Sequence, residues 1–292
     1  MEQIQTLRRK IESAEDLHSV VKTMKVLAAV SIREYERAEE SLREYGRTVE
    51  RGLQILMRQK RRGAFRPSGS APGHLGAVIF GSEQGMVGSF NDQIVSFALQ
   101  NMDELGLPRA RRHVLAVGER VMDRLEDRGE PVEDHVFLRE TMMDLTSVVQ
   151  VILIKIEEWR LRKGIDRIIV FANRPASRGT YRPTRHDLLP LDLEWLRELE
   201  TRDWPGRGLP GFSMDWERLF SSLIRQTFFV SLFRAIVDSL ASENSSRLAA
   251  MQAAEKNIED RLGELRTRFQ HQRQETITAE LLDIVSGFEV LS

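Results

Sequence analysis

The chain has 292 residues, 41% of them hydrophobic and 30% charged, with no cysteine. That composition excludes a disordered chain, a disulfide scaffold, a thiolate metal site and a cysteine nucleophile, and it fits a reducing compartment. Forty-three Lys and Arg stand against 44 Asp and Glu, a net charge of −1, so neither nucleic acid nor acidic lipid is an expected partner.

The N-terminus, MEQIQTLRRKIESAEDL, lacks the apolar core of a secretion signal. It opens instead a long amphipathic pattern. Ile4, Leu7, Ile11, Ala14, Val21, Ala28, Ile32, Tyr35, Leu42, Val49, Leu53 and Leu56 recur in steps of three and four. A period near 3.5 in a helix implies a left-handed supercoil with a second helix. His18, Lys25, Glu39 and Gly46 take seam slots, while Leu17, Met24, Ala38 and Tyr45 lie one position earlier, so the stripe wanders. We expect a coiled-coil helix over 1–60 and a linker over 61–76, rich in Gly, Pro, Ser and Arg. The basic cluster RQKRRGAFR at 58–66 reads as a solvated helix end, where cations suit the helix dipole.

A different pattern fills 77–191. Apolar runs at 77–81, 113–117 and 167–173 alternate with helix-like stretches at 92–103, 119–128 and 145–163. Such alternation predicts a Rossmann-like α/β domain with a mostly parallel sheet. Residues 181–191 add an edge strand, since Pro183 and Pro190 are excluded from a central one. Residues 192–211 are expected to be a loop. From 212 to 292 a second proline-free stretch carries Trp216, Leu219, Leu223, Val230, Phe233, Val237 and Leu240, then Met251, Ala254, Ile258, Leu262, Leu265 and Phe269. No run of about 18 uncharged apolar residues is present, so membrane association is expected only through partners. The predicted fold is an α/β domain inserted between two long terminal helices that form an antiparallel left-handed coiled coil.

One segment resembles an enzyme's. Gly81-Ser-Glu-Gln-Gly85-Met-Val-Gly88-Ser-Phe-Asn91 follows a strand and precedes a helix, where dinucleotide folds hold phosphate. Its spacing is neither G-x-G-x-x-G nor a Walker motif, and Glu83 would set a carboxylate beside any phosphate. The six histidines are dispersed, and Ser82 and Ser89 lack a G-x-S-x-G elbow. No catalytic, cofactor-binding or metal residue is therefore assigned. Lys22 and Lys25 flank Met24, and Arg247 follows Asn244, Ser245 and Ser246. These polar interruptions of the seams are where a helix pair would meet a third partner.

The chain resembles the gamma subunit of rotary F-type ATP synthases. The segments that carry the resemblance are Leu7-Arg-Arg-Lys-Ile-Glu-Ser13, Val21-Lys-Thr-Met-Lys-Val-Leu-Ala-Ala29, the Gly81–Asn91 loop, Leu240-Ala-Ser-Glu-Asn-Ser-Ser-Arg-Leu-Ala-Ala-Met251 and Arg273-Gln-Glu-Thr-Ile-Thr-Ala-Glu-Leu-Leu-Asp-Ile-Val-Ser-Gly287. It departs from the family pattern at Glu34, Gln252, Phe288 and Glu289. The resemblance implies a central-stalk rotor that couples c-ring rotation to a ring of three alpha and three beta subunits, with an epsilon-type subunit at its foot. It implies no cofactor and no active site of its own, within a proton- or sodium-transporting enzyme on the cytoplasmic face of a bacterial membrane or the matrix or stroma side in an organelle. By family position, Met24, Lys25, Arg247, Gln274, Thr278, Glu280, Ile284 and Leu291 would face the alpha/beta ring. Arg33, Glu34, Trp204, Arg207 and Phe212 would face the c-ring and epsilon-type subunit. The rival readings are a structural coiled-coil adaptor, which leaves the terminal motifs unexplained, and a nucleotide-binding α/β enzyme, against which the glycine spacing speaks.

Overall fold

The computed structural model describes residues 2–59, 73–138, 142–176, 180–204, 206, 208 and 210–291, with 2–3, 142–143 and 283–291 described as backbone only. Its elements are α1 (Glu2–Arg58), β1 (Leu75–Phe80), α2 (Phe90–Glu104), β2 (Arg112–Val117), α3 (Glu119–Asp127), β3 (Val132–Val136), α4 (Met142–Lys163), β4 (Arg167–Pro175), β5 (Tyr181–Leu189), α5 (Leu193–Thr201) and α6 (Trp216–Leu291). They divide into two compact units, Met1–Val30 with Arg247–Ser292, and Ser31–Ser246.

In the first unit the outer parts of α1 and α6 pair antiparallel. Lys25 bonds Glu255, His18 Nε2 lies 3.4 Å from Glu259, and Glu15 accepts from Arg266 at 2.6 Å, so positions descend on one helix as they ascend on the other. Val21 and Ala28 are buried on α1, and Met251, Leu262 and Leu265 on α6. The seam slot filled by Lys25 is thus used for ion pairing across the helices, and that filled by His18 sets its ring beside Glu259. By the same register, α1, starting at Glu2, ends opposite about residue 278 of α6. Among the described residues, the turns of α6 past that point have no α1 residue beside them.

The second unit is a sheet of order β3-β2-β1-β4-β5. β1 to β4 run parallel, and β5 joins antiparallel at the edge, where Pro183 costs no central ladder bond. Alternation along the strands divides two cores. Leu75, Ala77 and Ile79 face α2 and α3, while Val78 and Phe80 face α4, α5 and the inner parts of α1 and α6. Gly76 is required by this packing, because a Cβ there would lie 2.7 Å from the buried indole of Trp159. By length and hydropathy α6 contains a stretch apolar enough to cross a membrane. Its Ile224, Phe228, Leu232, Ile236 and Leu240 are instead buried in the protein core.

One expectation is corrected. Residues 193–201, read as part of a loop over 192–211, form α5. Asp192 caps it by accepting from the backbone N–H groups of Glu194 and Trp195, and Leu196 and Leu199 bury its inner face. The linker expected over 61–76 falls mostly outside the described residues, as does most of the basic cluster at 58–66.

Candidate partner-contact surfaces

In a doubly wound sheet the ligand crevice lies at the carboxyl ends of the strands where the order reverses, here beyond β1 between its neighbours β2 and β4. This chain fills that place with its own polar groups. Asn91 Oδ1 accepts from the Ser82 N–H at 2.9 Å, Asn91 Nδ2 donates to Ser82 Oγ at 2.8 Å, and Ser82 Oγ donates to Gln84 O at 2.8 Å. Glu83 Oε2 accepts from the N–H groups of Glu119 and Leu138, so a carboxylate already sits on the N-terminus of α3, where a phosphate would bind. Gly118 has φ of +108°, and a Cβ there would lie 2.8 Å from Ser82 O. α6 closes the crevice: Ser246 Oγ donates to Val87 O at 2.7 Å, and Ser242 Oγ to Asn173 O at 3.3 Å. Gly81 and Gly118 serve close packing of the loop against α3, and Gly88, at φ of +56°, supplies a left-handed turn beside α6.

The paired helices offer a different kind of surface. Leu17, Val20 and Leu27 on α1 are each more than half exposed and, with half-buried Met24, follow steps of three and four beside the seam. On α6, Ile277 is exposed opposite the first turn of α1, and Leu281 and Leu282 are exposed just past it. A monomer does not leave such a stripe in water without cause. Lys25 is held by Glu255, whose carboxyl it keeps below the usual value through their hydrogen bond. His18, Glu255 and Glu259 bring three donor atoms within 4.8 Å of one another, but the Lys25 ammonium occupies Glu255. That cluster reads as a helix-crossing ion pair. Glu255, the partner of Lys25, is a residue that sequence reading missed, because 230 positions separate the two.

Of the residues expected to face the ring, Met24 and Lys25 are half-buried, Arg247 is buried with an interaction of its own, and Gln274, Thr278 and Glu280 are exposed. The side chains of Ile284 and Leu291 lie outside the described residues, and so does Arg207. The proposed foot set does not form one patch. The loop after α5 is fastened to the end of α1: Gln54 donates to Arg202 O, Arg58 to Glu200 O, Gln59 to Pro210 O at 3.1 Å and Trp216 Nε1 to Leu56 O at 3.2 Å. Trp204 folds over this loop, donating to Gly208 O at 3.0 Å, and Phe212 is half-buried. Arg33 and Glu34 are exposed on α1 some 20 residues before Gln54, on the order of 30 Å away along the helix. Spacing in sequence could not reveal that separation, which needs the loop's docking point.

The unit is braced on its far side by charge. Glu133 accepts from Trp159 Nε1 at 2.8 Å, from Lys163 at 2.6 Å and from His113, whose other nitrogen meets His74 at 3.1 Å. Burial alone would raise the Glu133 carboxyl, but the hydrogen bonds from Lys163, His113 and Trp159 outweigh it and hold the group at about 2.

The model of a family described as ATP synthase matches residues 3–291. This chain belongs to the ATP synthase family. Relatives that carry the name ATP synthase gamma chain align end to end: that of Brucella ovis is 28% identical over 297 residues, and that of Paracoccus denitrificans 26% over 297, each covering 100% of both chains. A chain of the Euglena gracilis mitochondrial ATP synthase rotor superposes with a TM-score of 0.64 at 15% identity, covering 94% of this chain and 99% of that one. A second, from the OSCP/F1/c-ring assembly of the same enzyme, gives 0.66 at 16% identity and covers 99% and 95%. The two long helices around an inserted sheet are therefore this family's architecture, and the motifs at both ends of the chain belong to it.

Proposed function

We propose that this chain is the gamma-type rotor of a rotary F-type ATP synthase, the central stalk that cycles an alpha/beta ring through its states. The observation that carries the reading is the exposure of Ile277, Leu281 and Leu282 on the last described side chains of α6, in a chain matched by the family along nearly its whole length. A low-polarity helix end suits a bearing, since apolar contacts carry no directional preference and slide over one another at small cost.

Torque transfer needs the opposite character. A catalytic subunit is biased open or closed only by contacts that differ between its states. Lys25 and Arg247, with Gln274 further along α6, are the polar groups we assign to that task, with Met24 between the exposed apolar positions of α1. Charge-assisted hydrogen bonds from such residues select one angular position of the shaft. The loop fastened to the end of α1, with Trp204 and Phe212, is the surface assigned to the foot. Arg33 and Glu34 are assigned to contacts part-way along the shaft instead. The chain has no active site of its own in this reading. Chemistry belongs to the ring, and the chain reaches the membrane, on its cytoplasmic face in a bacterium, through an epsilon-type subunit and a c-ring that carries protons or sodium ions.

Co-expression with alpha and beta subunits tests the reading. The expected product is a complex of three alpha, three beta and one copy of this chain, whose ATPase activity falls when the chain is truncated after Glu275. A well-folded chain that joins no such ring would leave the coiled-coil adaptor as the better account.

A further inference from the structure

Between the β4–β5 edge of the sheet and α6 lies a cavity of about 210 Å³ whose lining includes Arg174, Arg185, His186, Arg234 and Asp238. Three guanidinium groups converge on it from three elements. Arg185 is held in place by Asp187, to which it donates twice, at 2.9 and 3.1 Å. Arg174 stands 3.5 Å from Asp238. Arg234 is the anomaly. Its Nε is buried with no hydrogen-bond partner, and among the described residues its guanidinium makes no ion pair. A buried N–H donor without an acceptor is costly to leave unpaired, and here it belongs to a half-buried guanidinium at the cleft.

We propose that this cleft is a binding site for a small oxyanion of the phosphate class, clasped by Arg174, Arg185 and Arg234. The planar fork of arginine matches two oxygens of such an anion at once. Size narrows the ligand, since the cavity is smaller than the roughly 300–1,000 Å³ of pockets that enclose drug-sized molecules. One anionic group fits, and the rest of any larger ligand would lie outside the cleft. His186 lines the cleft beside the three arginines, and burial, the chief cause, lowers its ring below the usual value. Bound there, the anion would link α6 to β4 and β5. The proposal rests on these residues and stands apart from the rotor reading.

Among the described residues, Asp238 is the carboxylate that lines the cleft itself. Around it stand Arg174 from β4, Arg185 and His186 from β5, Arg234 from α6 and Glu39 from α1. Burial pushes its carboxyl up to about 6 against the pull of Arg174. Protonation removes the charge that opposes an anion, so affinity should rise as pH falls through about 6. Sulfate, which keeps its charge over that range, is the probe for this effect.

The experiment is isothermal titration of the full chain with inorganic phosphate, and separately with ADP, at an ionic strength fixed with chloride. Saturable phosphate binding is expected, weakened at least tenfold by Arg234→Gln and unchanged by Arg124→Gln on the opposite side of the sheet. Arg174→Gln, at a half-exposed position, gives the same reading if Arg234→Gln fails to fold. Tighter binding of ADP, abolished by the same variants, would support the site with a nucleotide's phosphate as its source. No binding above the chloride background, or binding indifferent to both substitutions, overturns the proposal.

Discussion

Glu133→Gln isolates the charge network that ties β3 to α4. The substitution keeps the side chain's shape and an oxygen for the Trp159 indole but removes the charge that meets Lys163, Lys155 and His113. The carboxyl stands at about 2 in the folded chain against 4.5 for the free group. At about 1.4 kcal/mol per unit that difference sets a ceiling near 3 kcal/mol. With the Trp159 contact retained, and with Glu133 exposed enough for solvent to screen its pairs, we expect a loss of about 1 kcal/mol at pH 7. A carboxyl whose folded value is depressed contributes stability above its unfolded value of 4.5 and loses it as pH falls toward about 2. The cost of Glu133→Gln should therefore shrink by roughly half at pH 3.5. Urea unfolding of both proteins at pH 7, 5 and 3.5 measures it, with tryptophan fluorescence as the signal, because the Trp159 indole is part of the network. A cost below about 0.5 kcal/mol at pH 7, or one that does not change with pH, would refute the reasoning.

Gly81→Ala places a Cβ 2.3 Å from Val121 and 2.7 Å from Asn91 Oδ1, so a loss of roughly 3 kcal/mol is expected in the same assay, from overpacking and a broken Ser82–Asn91 bond. Asp238→Asn works in the other direction. Its carboxyl is raised to about 6, mainly by burial, so it favours the fold while protonated and loses that contribution as pH rises through 6. The variant should be more stable than the parent by about 1–2 kcal/mol at pH 8, after the lost Arg174 contact is allowed for, and show no gain near pH 4. Lys25→Glu sets a carboxylate against Glu255. The thermal midpoint should fall, and the double exchange Lys25→Glu with Glu255→Lys should recover most of it, because the pair bridges α1 and α6.

The helices and the inner strands were legible because their burial repeats. Val21, Ala28, Tyr35, Leu42, Val49, Leu53 and Leu56 are the positions that the heptad marks and the structure buries. β1 and β4 are apolar runs because helices cover both faces of the sheet. β3 escaped notice: Val132-Glu-Asp-His-Val136 is an edge strand with mostly exposed side chains, and its polar residues form no apolar run. α5 was hidden by its shortness, although Asp192 as a cap and the Leu196–Leu199 spacing were present to be read. Glu83 was seen only as a deterrent to phosphate, whereas in the fold it takes the phosphate's place. Partners such as Glu255 depend on pairing across hundreds of residues, which periodicity places only to within a turn.

The central claim is that this chain turns. Because it contains no cysteine, a single one introduced at exposed Arg111 gives a unique attachment point. With a ring of alpha and beta subunits fixed to a surface and a bead attached through that cysteine, the account predicts ATP-driven rotation in one direction, in steps of a third of a turn. A ring that hydrolyses ATP at full rate while the bead stays still would contradict it.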